Sequence, residues 1–263
     1  MPSFFNLLCY SLLIAVGLIP IRWIVASAYA TEQNAPEKVT SHQHQLTQTD
    51  QQHIHTIRQF YGERAGKRAK AWRLLLQQLS HKSAHNSGSI SGQLNQQQQE
   101  NDKLKSVNQF FNQLEFIDDI VLWGIQDYWA IPQEFIGAGG GDCEDFSIAK
   151  YYSLLALGVD DSKLRLVYVK SMSLNQFHMV VAYYPRPEAV PLLLDNIDGE
   201  IKPATKRPDL IPIYSFNGSK LWLMKQKGQG QLAGNASRLS AWNEVRQRTE
   251  QQDFRRPIIN LDE

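Results

Sequence analysis

The feature that most constrains the fold is a run of three glycines that leads into an acidic residue and a cysteine, from Gly139 to Cys143. Glycine tolerates the backbone angles of a tight turn, and Asp142 directly after the run is a favoured N-cap. Asp145 follows three positions later and completes a pattern similar to a capping box. Apolar residues then continue at helical spacing until Gly158, a natural helix stop. The run therefore predicts a helix whose first turn carries Cys143.

Cysteine usage gives this position added weight. The chain of 263 residues has two cysteines, and the other one, Cys9, lies in an apolar N-terminal segment. If that segment is removed, no internal disulfide can form. A helix N-terminus stabilises a thiolate, which is the nucleophilic form of cysteine. A free cysteine more often packs as a small hydrophobic residue, so both interpretations of Cys143 stay open when it is considered alone.

Two predicted strands downstream supply the residue types that a nucleophilic cysteine requires. His178 opens an alternating apolar segment, and Asp195 lies in the next such segment. If these segments pair as a hairpin, Val180 faces Asp195, and His178 becomes the same-face diagonal neighbour of that aspartate. The carboxylate could then orient the imidazole for Cys143. Each residue alone has a structural explanation, but the three in this order favour a catalytic site.

Acidic residues crowd the cysteine, with Asp142, Glu144 and Asp145 beside it and further acids upstream at Asp118, Asp119 and Glu134. Uncompensated negative charge raises a thiol pKa and opposes thiolate formation. A bound hard cation would remove this penalty, and oxygen ligands without a nearby histidine suit Ca²⁺ better than Zn²⁺. The alternative is that Asp142 only caps the helix and the other carboxylates are solvated.

The N-terminal segment predicts export. Residues 4–21 are almost wholly apolar, and a small-x-small pattern follows at Ala28 and Ala30, so residues 1–30 are typical of a secretory signal. An uncleaved membrane anchor is the alternative. We expect residues 31–49 to be disordered. A formal net charge of +1 gives no reason to expect a nucleic-acid partner.

The remaining chain predicts one α+β domain over residues 50–226 and a polar tail over 227–263. The domain would contain a helical N-terminal lobe, a glutamine-rich loop at 83–101 and an antiparallel sheet packed on the cysteine helix. Helices are expected at 50–79, divided at Gly62 and Gly66, at 104–114, at 121–129 up to Pro132, and in the tail at 239–250. Strands are expected at 164–170, 178–184, 191–197, 212–217 and 221–225.

Over residues 100–225 the chain resembles the bacterial transglutaminase-like cysteine proteinases. The resemblance is carried by Trp129, Ala130, Pro132 and Glu134, by the run from Gly141 to Tyr151, by His178 to Val180, by Leu194 to Asn196, by Arg207 to Leu210 and by Tyr214 to Asn217. It implies a papain/transglutaminase-like fold with Cys143 as nucleophile, His178 as base and Asp195 as orienting acid. It also implies that Asp142 and Glu144 bind Ca²⁺, with Asp145 as a further candidate.

The same resemblance implies a periplasmic, calcium-dependent endopeptidase. Its substrate would be the N-terminal region of a large surface adhesin, whose release disperses a biofilm. Its regulator would be the periplasmic domain of an inner-membrane cyclic-diguanylate receptor. The aromatic residues Trp123, Tyr128 and Trp129 are candidates for that interface, with ordinary core packing as the alternative. Other functions left open are transglutaminase or amidase activity on Gln or Asn side chains, and a non-catalytic binding protein on the same fold.

Overall fold

Helices form the first layer of the structure. The structure, a computed structural model, describes residues 46–85, 92–224 and 230–262, without the side chains of 83–85 and 92–95. The predicted signal or anchor at 1–30 lies outside these residues, as does the predicted disordered segment except for its last four positions. The helices are α1 (Gln48–Tyr61), α2 (Glu63–His85), α3 (Gly92–Phe111), α4 (Asp119–Leu122), α5 (Pro132–Ala138), α6 (Cys143–Ala156) and α7 (Ser240–Gln251).

One of the two predicted glycine breaks separates the first two helices. Gly62 has a φ of 105°, a value that disfavours side chains, and it lies between α1 and α2. Gly66, predicted as a second break, is instead inside α2, where its missing Cβ makes room for Arg58 of α1. α1 begins after Thr47, whose hydroxyl accepts from the backbone N–H of Asp50 at 3.1 Å. The last positions of the predicted disordered segment are therefore helical.

The predicted glutamine-rich loop at 83–101 is wrong from Gly92 onward, because α3 already begins there. Glutamine is a good helix former, and Gln98 of this run donates to Asp102 at 3.0 Å, one helical turn away. The buried Glu100 anchors the helix by an ion pair with Lys163, 2.8 Å from nitrogen to oxygen. An ion pair with a residue elsewhere in the chain thus fixes a segment whose composition resembles a linker.

The turn predicted to end at Pro132 is also different. α4 ends at Leu122, and Pro132 begins α5 instead of ending a helix. Proline is favoured at the first helical position, since its missing N–H would be unpaired there. Glu134 in the first turn accepts from the backbone N–H of Ile131 at 2.9 Å and fixes the start of α5.

The second layer is an antiparallel sheet of seven strands. These are β3 (Leu164–Ser171), β4 (Gln176–Tyr183), β5 (Leu192–Leu194), β6 (Lys202–Pro203), β7 (Leu210–Phe216), β8 (Lys220–Leu223) and β9 (Gln231–Asn235), in the order β6-β5-β4-β3-β7-β8-β9. A separate parallel pair joins β1 (Glu115–Phe116) to β2 (Gly140–Gly141). The predicted α+β class, with a sheet packed on the cysteine helix, is confirmed.

The register of the β4–β5 hairpin agrees with the prediction. Val181 faces Leu194 and Tyr183 faces Leu192, a pairing that extends to Val180 opposite Asp195. β5 ends at Leu194, so Asp195 lies just past the strand instead of inside it. On β4, Val181 packs with α6, whereas Val180 belongs to a smaller core on the other face of the sheet.

The predicted polar tail is an integral part of the domain. β9 extends the sheet beside β8, and α7 buries Trp242 and Val245 against the main core. The helix expected at 239–250 is therefore present, but the domain does not end at 226. Within the ranges that the structure covers, no helix is long and apolar enough to span a bilayer.

Candidate active site

The glycine run places Cys143 at the first position of α6. Gly139 ends α5 with a φ of 89°, and Gly140 and Gly141 then pair with β1. A Cβ on Gly140 would lie 2.5 Å from the carbonyl oxygen of Glu115, so the close approach of these backbones requires glycine. The parallel pair thus fixes the direction in which the chain enters α6.

A carboxylate fixes the start of α6. The backbone N–H of Asp142 donates to Oδ2 of Asp145 at 3.3 Å, and Oδ1 of the same carboxylate accepts from Ala130 at 2.6 Å. Asp145 is fully buried. It therefore joins the N-terminus of the cysteine helix to the segment that leads into α5.

The thiol of Cys143 lies among acids. Its Sγ donates to Oε2 of Glu144 at 2.7 Å, and the backbone N–H of Met179 also approaches the sulfur. Burial raises the thiol pKa well above its usual range, and the negative charges of Glu144 and Asp142 raise it further. Unless a cation offsets these charges, the thiol is protonated at neutral pH, in spite of its position at a helix N-terminus.

His178 and Asp195 form a buried hydrogen-bonded pair. Nε2 of His178 lies 2.7 Å from Oδ1 of Asp195, and both side chains are almost inaccessible to solvent. Burial acts to raise the pKa of Asp195, but the hydrogen bond and charge of His178, together with Ile197 and Arg207, lower it to about 2. The acid is thus ionised at neutral pH.

The structure brings Cys143 close to this pair through the backbone. Met179 directly follows His178 on β4, and its carbonyl accepts from Ser147, one turn along α6, at 2.9 Å. No hydrogen bond joins the thiol to the imidazole among the residues described, since the thiol is turned to Glu144. Because Nε2 of His178 is used by Asp195, Nδ1 is the ring nitrogen available to a thiol.

Asp142 joins the acids beside the thiol to a second group of acids. Oxygens of Asp119, Asp142 and Asp145 lie within 4.8 Å of one another, as do the ligand atoms of Asp142, Cys143 and Glu144. Burial is the main cause that raises the pKa of Asp119 to about 7 and that of Asp142 to about 12, with the neighbouring carboxylates adding to it for Asp142.

The donor set of this cluster fits a hard divalent cation. Oδ1 of Asp119 and Oδ1 of Asp142 are buried without a hydrogen-bond partner, which is costly unless something else satisfies them. Several carboxylate oxygens without imidazole are the ligands that Ca²⁺ prefers. A cation bound there would also compensate the negative charge beside the thiol.

The sequence prediction missed the place of Asp119 in this cluster and left Glu134 among the candidate acids. Asp119 begins the short helix α4, far from Asp142 in the chain. The sequence feature that marks Asp119 is a pair of aspartates before an apolar turn, which does not by itself indicate a metal ligand. Glu134, by contrast, serves the fold: it pairs with Arg248 of α7 and accepts from the hydroxyl of Tyr128.

The aromatic residues proposed for an interface are mostly core. Trp123 and Trp129 are 1% and 6% exposed, and Tyr128 is half-buried. Trp129 stacks on Phe216 with ring centroids 5.8 Å apart, and Trp123 packs against Tyr128. The expectation that these rings form an exposed interface is wrong for both tryptophans.

Comparison with known proteins agrees with this geometry. Residues 78–226 match the family described as bacterial transglutaminase-like cysteine proteinase. LapG of Legionella pneumophila, in an EGTA-treated structure, superposes with a TM-score of 0.61 at 37% identity and covers 76% of this chain and 96% of its own. The calcium-bound structure of that LapG gives 0.59 at 39% identity, with 75% and 98% covered. No curated protein sequence matches significantly.

The family match spans more than half of the chain and includes Cys143, His178 and Asp195. The solved structures extend the likeness over three quarters of the chain at well above 30% identity. The chain therefore belongs to the bacterial transglutaminase-like cysteine proteinases.

Proposed function

We propose that this protein is a calcium-dependent cysteine endopeptidase of the periplasm. It cleaves the N-terminal region of a large surface adhesin, which releases the adhesin and disperses a biofilm. The observation that supports this most is the arrangement of Cys143 at the first turn of α6, beside the residue that follows His178, whose ring is held by Asp195.

The chemistry follows from these positions. His178 accepts the proton of Cys143 at Nδ1, and the thiolate attacks the scissile carbonyl carbon. The imidazolium then donates that proton to the leaving amine, which leaves an acyl-enzyme. Water, deprotonated by the same imidazole, then adds to the acyl carbon. The C–S bond breaks, the carboxylic acid product leaves, and the sulfur takes its proton back from the imidazolium. Asp195 holds the ring and stabilises its charged form, while the backbone N–H of Cys143 is one candidate donor to the oxyanion.

The acid cluster is the proposed calcium site. Asp119, Asp142 and Glu144 would hold the ion, with Asp145 as a further ligand that also caps α6. Calcium supplies positive charge that offsets the carboxylates and so lowers the thiol pKa. Support comes from the unpaired buried oxygens of Asp119 and Asp142 and from the existence of a calcium-bound structure of Legionella pneumophila LapG.

The substrate and the regulator are what the resemblance to the bacterial transglutaminase-like cysteine proteinases implies, and the location is inferred from the N-terminal segment. Residues 1–30 have the pattern of an export signal. The regulator we propose is the periplasmic domain of an inner-membrane cyclic-diguanylate receptor, which would sequester the protease. Exposed apolar side chains on and before α4, at Phe116, Ile120 and Val121, offer a surface beside the acid cluster.

Incubation of the purified protein with an adhesin N-terminal fragment tests the proposal. We expect a new peptide terminus in the presence of Ca²⁺, none with a chelator, and none with Cys143→Ala in either condition. The variant should keep the melting temperature of the wild type, because alanine fits the first turn of a helix. A cleaving Cys143→Ala protein would exclude the mechanism.

The same incubation separates the other functions. An amine cross-link or released ammonia without a new terminus would identify a transglutaminase or amidase. Binding of the fragment without any covalent change would identify a non-catalytic protein on this fold.

A further inference from the structure

Arg207 is the cation that completes the surroundings of Asp195. Its Nη1 donates to Oδ2 of Asp195 at 2.8 Å. The other carboxylate oxygen, Oδ1, accepts from Nε2 of His178 at 2.7 Å and from the backbone N–H of Ile197 at 3.0 Å. Both oxygens are therefore held, and the carboxylate cannot rotate without breaking one of these contacts.

Asp209 holds the rest of the guanidinium. Nε of Arg207 donates to Oδ1 of Asp209 at 3.0 Å, and Nη2 donates to Oδ2 at 2.8 Å. This two-point contact uses the planar fork of arginine, which a lysine does not offer. Pro208 between the two residues restricts the backbone of the motif. Asp209 thus holds one side of the guanidinium, and Asp195 accepts from the other.

The surroundings of this ion pair are largely apolar. Arg207 is 8% exposed, and it borders a cavity of about 840 Å³ whose other walls include Val180 and Leu193. The hydrogen bond of Arg207 helps to lower the pKa of Asp195, after the larger contributions of His178 and Ile197. Two further charges face the pair: Lys150 of α6 acts on Asp195, and a carboxylate oxygen of Asp198 lies 3.9 Å from Nη1.

We propose that Arg207 is a positioning residue of the proposed protease: anchored by Asp209, it fixes the ionised Asp195 carboxylate in the orientation that holds His178 for Cys143. The inference rests on the proposed cysteine-protease function. It assigns a role to the Arg207–Asp209 motif. The steps of the proposed reaction do not themselves involve this motif.

Loss of Arg207 should shift the pH dependence of Cys143 reactivity in a definite direction. The hydrogen bond of Arg207 is among the causes that hold the pKa of Asp195 down, so removing it raises that pKa. Asp195 is then protonated at a higher pH and stops accepting from His178. The acid limb of Cys143 reactivity is the pH range over which the alkylation rate falls as the solution becomes more acidic. We expect it to move up by about one pH unit. A freely rotating carboxylate also lowers kcat, by roughly 10- to 100-fold, whereas KM changes little because Arg207 is buried behind Asp195.

The rate of Cys143 alkylation measures the acid limb without a substrate. The full chain, saturated with Ca²⁺, is treated with iodoacetamide across the acid and neutral range, and the Cys143 peptide is quantified by mass spectrometry. Arg207→Met should show the shifted acid limb and, in the cleavage assay, the lower kcat. Arg207→Lys retains the charge but not the fork, so it should restore most of the acid limb and little of kcat.

Two further variants keep the test decisive. Arg165→Met is the matched control, because Arg165 lies on β3 of the same sheet and its guanidinium stacks on the rings of Tyr184 and Trp222. It should lower the melting temperature and leave the acid limb in place. Asp209→Asn retains the contact of Arg207 with Asp195 and should show a smaller shift in the same direction, which gives a result even if Arg207→Met fails to fold.

The inference is overturned if Arg207→Met, or Asp209→Asn where the former does not fold, keeps the wild-type acid limb. A loss of melting temperature alone would also overturn it, because that would show a purely structural role. If the wild type alkylates with the expected acid limb but cleaves no adhesin fragment, the proposed function fails while the role of Arg207 remains tested.

Discussion

The missing side chain of Gly141 leaves room for one carboxylate of the acid cluster. A Cβ on Gly141 would lie 2.1 Å from Oδ2 of Asp145, the oxygen that accepts from the backbone of Asp142. Gly141→Ala should therefore displace this carboxylate and destabilise the protein by about 1–3 kcal/mol, the usual cost of overpacking. It should also weaken calcium binding, as measured by thermal unfolding and calorimetric titration.

The control for this change is Gly199→Ala. A Cβ there would lie 3.5 Å from Nδ2 of Asn112, an ordinary contact, and the backbone of Gly199 has no positive φ. The change should leave calcium affinity as it is in the wild type. Equal calcium affinity in Gly141→Ala and Gly199→Ala would contradict the role that we give to Gly141.

At the scale of elements, α7 completes the start of α5. Arg248 of α7 pairs with Glu134, which is fully buried, and also donates to the carbonyl of Trp129. Arg248→Met would leave a buried carboxylate without its cation. We expect a loss of about 3–5 kcal/mol in the free energy of unfolding, measured by urea denaturation.

Two comparisons test this assignment. Adding Glu134→Gln to Arg248→Met removes the unpaired charge and should recover part of the loss. Arg238→Met changes an exposed arginine that donates to the carbonyl of Ala233, and should cost little. If both arginine variants are equally stable, Arg248 does not stabilise the start of α5.

The predictable elements are those fixed by local pattern. The start of α6 at Cys143, its stop near Gly158 and the register that joins His178 to Asp195 follow from capping residues, glycine and period-two alternation. The helix that begins at Gly92 and the docking of α7 depend on ion pairs with residues far away in the chain, Lys163 for the former and Glu134 for the latter. Composition carries no signal of such contacts.

The same distinction holds for the candidate site. Asp142 and Glu144 are neighbours of the cysteine and could be named from the sequence. Asp119 reaches the cluster only because β1 pairs with the glycine run and carries α4 to it. Neither the sequence pattern nor the spacing of acids contains that pairing.

At the scale of the whole molecule, the buried acids make metal-free stability depend on pH. In the folded protein the pKa of Asp119 is about 7 and that of Asp142 about 12, both above their unfolded values and mainly because of burial. Acids with raised pKa contribute stability that is fully present below the unfolded pKa and is lost as pH rises through the folded pKa.

Without calcium, the melting temperature should therefore fall as the pH rises from about 4 to about 7. Calcium should reverse this at neutral pH, by about 2.7 kcal/mol at a concentration one hundred times its dissociation constant. Asp142→Asn should abolish most of the calcium effect. A metal-free protein whose stability rises steadily over this range in scanning calorimetry would contradict the account.

The last prediction concerns the proposed regulator. The α4 patch, formed by Phe116, Ile120 and Val121, is about half exposed and adjoins Asp119 of the acid cluster. Apolar groups that a partner buries contribute strongly to binding, and an aspartate among them would be desolvated without a partner. Val121→Asp should therefore abolish inhibition by the receptor's periplasmic domain while cleavage and melting temperature stay unchanged. Leu232→Asp, at a comparably exposed position on β9, should be inhibited like the wild type. Inhibition of Val121→Asp at wild-type receptor concentrations would place the regulator on another surface.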